Sequence, residues 1–313
     1  MEKYQNILVV IDPNTDDQKA LKRAMELAKK TQATITAFLT IFDFSYEMTT
    51  MLSSDERETM RSSVLKSRQT WLKELITAPE DNDIDSCITI NTKVVWHNRP
   101  FEAVIKAVIE SGFDLVVKGT HNHDKLKSVI FTPTDWHLLR KCPCPVLLVK
   151  DHQWPKNGNI LAAVNVGNME EEHISLNKKI TEEALHLAAL IDANAHLVNS
   201  YPGTPVNIAI EIPEFNINNY NETIKKHHVD AMTLHAKAFN VDVTKTHVNE
   251  GLPEDVIEAL SEELDSELVI LGTIGRTGFS AALIGNTAEQ VIDNLNCDLL
   301  ALKPDGYKSP LDT

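Results

Sequence analysis

The chain repeats itself over the length of a whole domain. Asn6-Ile-Leu-Val-Val-Ile-Asp12 returns as Asn159-Ile-Leu-Ala-Ala-Val-Asn165, 153 residues later. Leu115-Val-Val-Lys-Gly-Thr120 returns at the same offset as Leu268-Val-Ile-Leu-Gly-Thr273, and Cys144-Pro-Val-Leu-Leu-Val-Lys150 as Cys297-Asp-Leu-Leu-Ala-Leu-Lys303. Phe101–Val108 matches Pro253–Leu260 one residue out of step. A period this long is too large for a solenoid unit, so each copy must close its own core. Two copies on one chain also act as mutual controls, since a chemical feature kept by one and lost by the other marks where their uses part.

Within each copy, strand signals alternate with helix signals. Ile7–Ile11 is an unbroken apolar run, the mark of a parallel strand covered on both faces. Residues 16–31 place Ala20, Leu21, Ala24, Met25 and Ala28 on one helical face. Strands follow at 34–41, 89–96, 115–118 and 146–149. Helices are predicted over 52–77, 101–110 and 133–141, the second with Val104, Ile105, Val108 and Ile109 inward. The second copy repeats this order from Asn159 to Lys303. The fold class is therefore α/β, with two tandem doubly wound five-stranded parallel sheets. The predicted division is a first domain over 1–150, a linker over 151–158, a second domain over 159–304 and a polar tail over 305–313.

The net charge of −15 argues against a nucleic-acid surface and against docking on anionic lipid. No apolar run approaches a membrane span, and the opening residues lead straight into a strand without a signal or transit pattern. Four cysteines in a chain of 313 residues do not make a disulfide framework, which points to a cytoplasmic setting. Cys144 and Cys297 share a repeat position at the start of a strand and read as small buried hydrophobes. His121 and His123 read as part of a polar loop, and His227, His228 and His235 as surface histidines. No Ser–His–Asp order or catalytic carboxylate pair stands out.

In doubly wound sheets the ligand lies beyond the carboxyl ends of the strands. There the second copy carries Gly272-Thr-Ile-Gly275-Arg276, then Gly285-Asn286-Thr287 leading into a predicted helix over 286–296. Glycines let the backbone approach a ligand, and a helix N-terminus offers unpaired N–H groups to a phosphate. The first copy has Asn122 and Thr132 at the second and third glycine positions, and Pro133 where Asn286 stands. Thr132 with Asp135 reads as a capping box that satisfies that helix start from within.

The spacing Gly272, Gly275, Gly285 resembles the G-x2-G-x9-G-[ST] loop of the universal stress protein family, with Asn286 where the family has Ser or Thr. The resemblance runs through nearly the whole chain, twice. It implies an adenine nucleotide alpha hydrolase-like fold in each half, a cytoplasmic stress-response role, and a bound ATP or AMP in some members. It assigns ligand contacts to Asn165, Gly272, Gly275, Gly285 and Asn286, to which the residues themselves add Arg276 as a charge in the loop and Thr287 as a cap or anion donor. Asp12 occupies the adenine-reading position of the first half. It also implies that the halves pair through their fifth strands, 146–149 and 299–302, as an internal pseudo-two-fold dimer, and leaves a further homodimer open.

One segment has no counterpart in the first half. Tyr201–Pro213 alternates Val206, Ile208, Ile210 and Ile212 between prolines, and the three isoleucines are expected to wall an apolar cavity at the ligand end of the second sheet, the alternative being a plug for the seam between the domains. The functional expectation is a non-catalytic protein holding a nucleotide or another phosphate-bearing small molecule in its second domain, with no metal beyond a phosphate-associated Mg. The alternatives are an interaction scaffold with vestigial sites, and a slow ATPase or nucleotidyl transferase.

Overall fold

The computed structural model describes residues 3–45, 53–77, 88–122, 129–130, 132–203, 217–273, 291 and 295–312. They fall into two compact units, Met1–His121 with Phe131–Lys150 and Lys308–Thr313, and Asn122–Ile130 with Asp151–Tyr307.

The first unit is a five-stranded parallel sheet. Its strands are β1 (Asn6–Val10), β2 (Thr34–Ile41), β3 (Ile90–Trp96), β4 (Leu115–Gly119) and β7 (Val146–Val149), in the order β7-β4-β1-β2-β3. Beyond β4, β5 (His121–Asn122) and β6 (Val129–Ile130) make a separate two-stranded sheet. Helices α1 (Lys19–Thr31), α2 (Ser54–Thr77), α3 (Pro100–Ser111) and α4 (Pro133–Lys141) complete the unit.

In the second unit, β8 (Asn159–Ala163), β9 (Asn194–Tyr201), β10 (Thr246–Glu250), β11 (Ser266–Gly272) and β12 (Asp298–Leu302) are again all parallel, in the order β10-β9-β8-β11-β12. Its helices are α5 (Glu171–Ile191), α6 (Ile217–Ala238) and α7 (Pro253–Glu263). Each half thus places its first strand beside its fourth, so each sheet has one switch point.

The apolar runs became central strands, and the inner three residues of both β1 and β8 are buried. At one edge of each sheet, β3 and β10 carry polar residues and are more exposed than the central strands. All five residues assigned to the inner face of α1 are buried. On α3 the expectation fails at one place. Val104, Ile105 and Val108 are buried, but Ile109 is 36% exposed, because Ala103 and Ala107 centre the buried face away from it. Helix α1 starts at Lys19 rather than 16, because Gln18 precedes it as a buried clasp.

The repeated motifs repeat as contacts. Asn6 Nδ2 donates to the Ser111 carbonyl, and Asn159 Nδ2 to the Leu264 carbonyl, each tying the first strand to a chain segment 105 residues away. The N–H and hydroxyl of Thr120 both bond the Val149 carbonyl, and those of Thr273 bond the Leu302 carbonyl. Gln32 and Asp192 close α1 and α5 in the same left-handed conformation, φ 56° and 60°. Cys144 and Cys297 are both buried, as their strand-start position predicts. The contact with Cys142, whose Sγ lies 3.6 Å away, together with burial pushes the Cys144 thiol well up.

Candidate ligand site

The second unit contains a cavity of about 490 Å³ at the carboxyl ends of β8, β9 and β11, at the switch point of its sheet. Ala163 and Asn165 enter it from the end of β8, Val198 and Ser200 from β9, and Leu271 and Gly272 from β11. Helix α5 contributes His173, Leu176, Asn177 and Ile180, and α6 contributes His228. Pro202, Leu252, Pro253 and Ile257 close the remaining side, with Leu252 57% exposed at the rim. Most of these side chains are apolar, so a ligand gains by desolvating there, and the few polar groups fix its orientation.

The polar groups are individually held. The side chain of Asn177 clasps the backbone of Asn165, its Oδ1 accepting from the Asn165 N–H at 2.8 Å and its Nδ2 donating to the Asn165 carbonyl at 2.9 Å. The Asn165 side chain is itself exposed and makes no hydrogen bond among the described residues. His173 Nε2 lies 3.6 Å from Glu170. Asn199, 1% exposed on β9, accepts from the Val166 N–H at 3.1 Å, and its Nδ2 lies 2.9 Å from His228 Nδ1.

Gly272 is where β11 meets α5. A Cβ there would overlap Leu176 Cδ2, so the glycine lets helix and strand meet closely beside the cavity. Gly119, its counterpart, faces only the flexible stem of Lys19, at 3.2 Å.

The first unit handles the same places differently. Gln18 clasps the Asp12 backbone as Asn177 clasps that of Asn165, with Asp12 N–H to Gln18 Oε1 at 3.2 Å and Gln18 Nε2 to the Asp12 carbonyl at 2.7 Å. Asp12 Oδ1, however, accepts from both nitrogens of Asn14 and so closes a local turn. Where β11 has the cavity-lining Leu271, β4 has Lys118, in the same register. Lys118 is buried, and its Nζ lies 2.6 Å from Oδ1 of the fully buried Asp135. The expected capping box is present at the start of α4, with Asp135 Oδ2 accepting from the Thr132 N–H and Asp135 N–H donating to Thr132 Oγ1. An ion pair and a cap thus occupy the first half at the place corresponding to the second half's cavity wall.

Of the residues assigned to ligand contact from sequence, Asn165 and Gly272 both line the cavity. Gly275, Arg276, Gly285, Asn286 and Thr287 lie outside the described residues, as do Ile208, Ile210, Ile212 and His123. Of the segment 201–213, Pro202 lines the cavity. The reading of His228 and His235 as surface histidines is corrected. His228 lines the cavity, and His235 Nε2 lies 2.7 Å from the buried Thr181 hydroxyl, because α6 packs this face on the sheet and on α5. Sequence reasoning also passed over Asn177 and Asn199. An asparagine amid the apolar residues of β9, where the first half has Leu39, was the available signal. Among the described residues, no group of three or more His, Cys, Asp or Glu is placed to hold a metal ion.

The universal stress protein family model matches residues 3–150 and again 171–303. The chain belongs to the universal stress protein family. Universal stress protein E of Escherichia coli strain K12 is 53% identical over 100% of this chain and 98% of its own length. A universal stress protein E homolog of Haemophilus influenzae is 43% identical, covering 96% and 98%. Among solved structures, a functionally unknown protein of Pseudomonas aeruginosa PAO1 superposes with a TM-score of 0.74 at 30% identity, over 97% of this chain and 94% of that one. An Archaeoglobus fulgidus universal stress protein, at 14% identity and a TM-score of 0.62, shares the fold. These likenesses bear out the tandem α/β architecture of this universal stress protein. No helix among the described residues is long and apolar enough to cross a membrane.

The histidines around the second sheet give this universal stress protein an expected response to acid. Burial lowers the pKa of His228, His235, His196 and His247, with His227 adding to the effect at His228 and His247 at His196. A histidine lowered in the folded state takes its proton first in the unfolded chain. Its stabilising contribution is therefore full above the ordinary value of about 6.5 and declines as pH falls below it toward the folded value. Among the described residues of the first unit, only His137 shows this lowering, from burial and then Lys141. Hydrogen exchange at pH 7.5 and 5.5 is expected to show peptides of α6, β9 and β10 losing protection before those of α1 and β1. Equal loss in the two units would contradict this.

Proposed function

We propose that the second unit holds a phosphate-bearing small molecule, a nucleotide such as ATP or AMP among the candidates. Its apolar part fills the cavity, and its phosphate meets the loop that begins at Gly272. The observation carrying this reading is the position of the cavity. It lies at the switch point of the second sheet, beside Asn165 and the first glycine of the loop. The reading extends to a cytoplasmic stress-response role in which the first half is structural, its corresponding place taken by Lys118 and Asp135.

Mass spectrometry of small molecules released from the purified, denatured chain tests the proposal directly. A phosphate-bearing compound in near-stoichiometric amount is expected. In calorimetry of the full chain, Gly275→Val is expected to weaken binding of that compound at least tenfold by blocking backbone approach, with the melting temperature nearly unchanged. Undiminished affinity would remove the loop from the site.

A further inference from the structure

The second half holds one imidazole more carefully than packing requires. His228 lies on α6 and lines the cavity. Its ring stacks on Tyr201 at 5.4 Å and 27°, and His227 meets it edge-on. It also rests against the backbone of Gly167, where any Cβ would overlap the ring. Its Nδ1 faces Asn199 Nδ2 at 2.9 Å.

Asn199 fixes the proton. Its Oδ1 accepts from the Val166 N–H, and its Nδ2 donates to the Ser200 carbonyl at 3.1 Å, so the amide has one orientation. The second hydrogen on Nδ2 is then directed at His228 Nδ1, which must offer a lone pair. The ring proton therefore sits on Nε2, which has no hydrogen-bond partner among the described residues. Burial, aided by His227, holds the ring below its ordinary pKa and keeps it neutral.

The first half lacks this arrangement. By strand register Leu39 and Ile41 stand where Asn199 and Tyr201 stand, and Asn14 occupies the place of Gly167. The tether thus belongs to the half whose switch point holds the cavity described above.

We propose that His228 is a ligand-recognition residue, its Nε2–H donating to an acceptor atom, a carbonyl oxygen or aromatic ring nitrogen, in the otherwise apolar part of the bound molecule. A neutral donor suits a neutral acceptor, which separates this contact from any contact to phosphate. Asn199, Tyr201 and Gly167 act as positioning residues. The inference rests on the cavity being a binding site, and its test keeps the two apart.

The probes are isoquinoline and naphthalene, which share a shape and differ by one ring acceptor. The full chain at pH 8 is expected to bind isoquinoline about tenfold more tightly than naphthalene, the worth of one desolvated hydrogen bond. His228→Phe keeps an aromatic ring but has no N–H to donate, and should bind both alike. Nitrogen NMR of the unsubstituted protein needs no variant. It should show the proton of His228 on Nε2, with that nitrogen shifting on addition of isoquinoline and not of naphthalene. Equal affinities in the unsubstituted protein, or the proton on Nδ1, would overturn the assignment while leaving the cavity as a site. Binding of neither probe would remove the site and this inference with it.

Discussion

Asp135→Ala is expected to destabilise the first unit by about 3–5 kcal/mol, the usual result of removing one partner from a buried ion pair. Lys118 would keep its charge in a place that is 7% exposed, with the Gly119 carbonyl as its remaining hydrogen-bond acceptor among those described. The same change removes one half of the capping box, the bond from the Thr132 N–H to the Asp135 carboxylate, worth about 1 kcal/mol by itself. The second half writes the remedy. Leu271 stands in the register of Lys118, and Ala288 falls at the repeat position of Asp135. The double change Lys118→Leu with Asp135→Ala should therefore recover most of the loss, leaving about 1 kcal/mol for the lost bond to the Thr132 N–H. Urea unfolding followed by fluorescence reads this well, since Trp71, Trp96 and Trp136 all belong to the first unit. A double variant no better than the single one would mean that the pair is not the source of the cost.

Gly272→Val is expected to cost about 1–3 kcal/mol through overpacking against α5. A Cβ at this position meets Leu176, 4% exposed, and comes within 3.2 Å of Ile180. Leu176 lines the cavity, so a side chain displaced toward that open space fills room a ligand needs. Isoquinoline binding should fall at least tenfold together with the melting temperature. Gly119→Ala is the control, since the neighbouring Lys19 stem can move aside, and a change within about 0.5 kcal/mol is expected there. Retained isoquinoline affinity in Gly272→Val would show that Leu176 relaxes away from the cavity instead.

The fold was readable because its signals are local. Unbroken runs such as Ile7–Ile11 declare a doubly covered strand, and the spacing of Ala20, Leu21, Ala24 and Ala28 declares one helical face. The Thr132–Asp135 cap spans three residues and was visible for the same reason. Lys118 shows where that reach ends. Within Leu115-Val-Val-Lys-Gly it reads as the polar end of a strand, and only the fold brings Asp135 to it. The candidate site divides likewise. Asn165 and Gly272 follow from position in the repeat, whereas His228 is placed by Asn199, 29 residues away, and by the packing of α6. Ile109 erred in the opposite direction, since a run of aliphatic residues wider than the buried face must leave one outside.

The outer strands β3 and β10 have a consequence for life at high concentration. The outer edge of a parallel sheet offers unpaired backbone groups to any passing chain, and proteins discourage this with polar and charged side chains there. β3 exposes Asn91 and Lys93, and β10 ends in the exposed pair Asn249 and Glu250. A chain carrying two parallel sheets of the same strand order presents such an edge in each of them. Polar edges of this kind work against strand addition between copies of the folded chain.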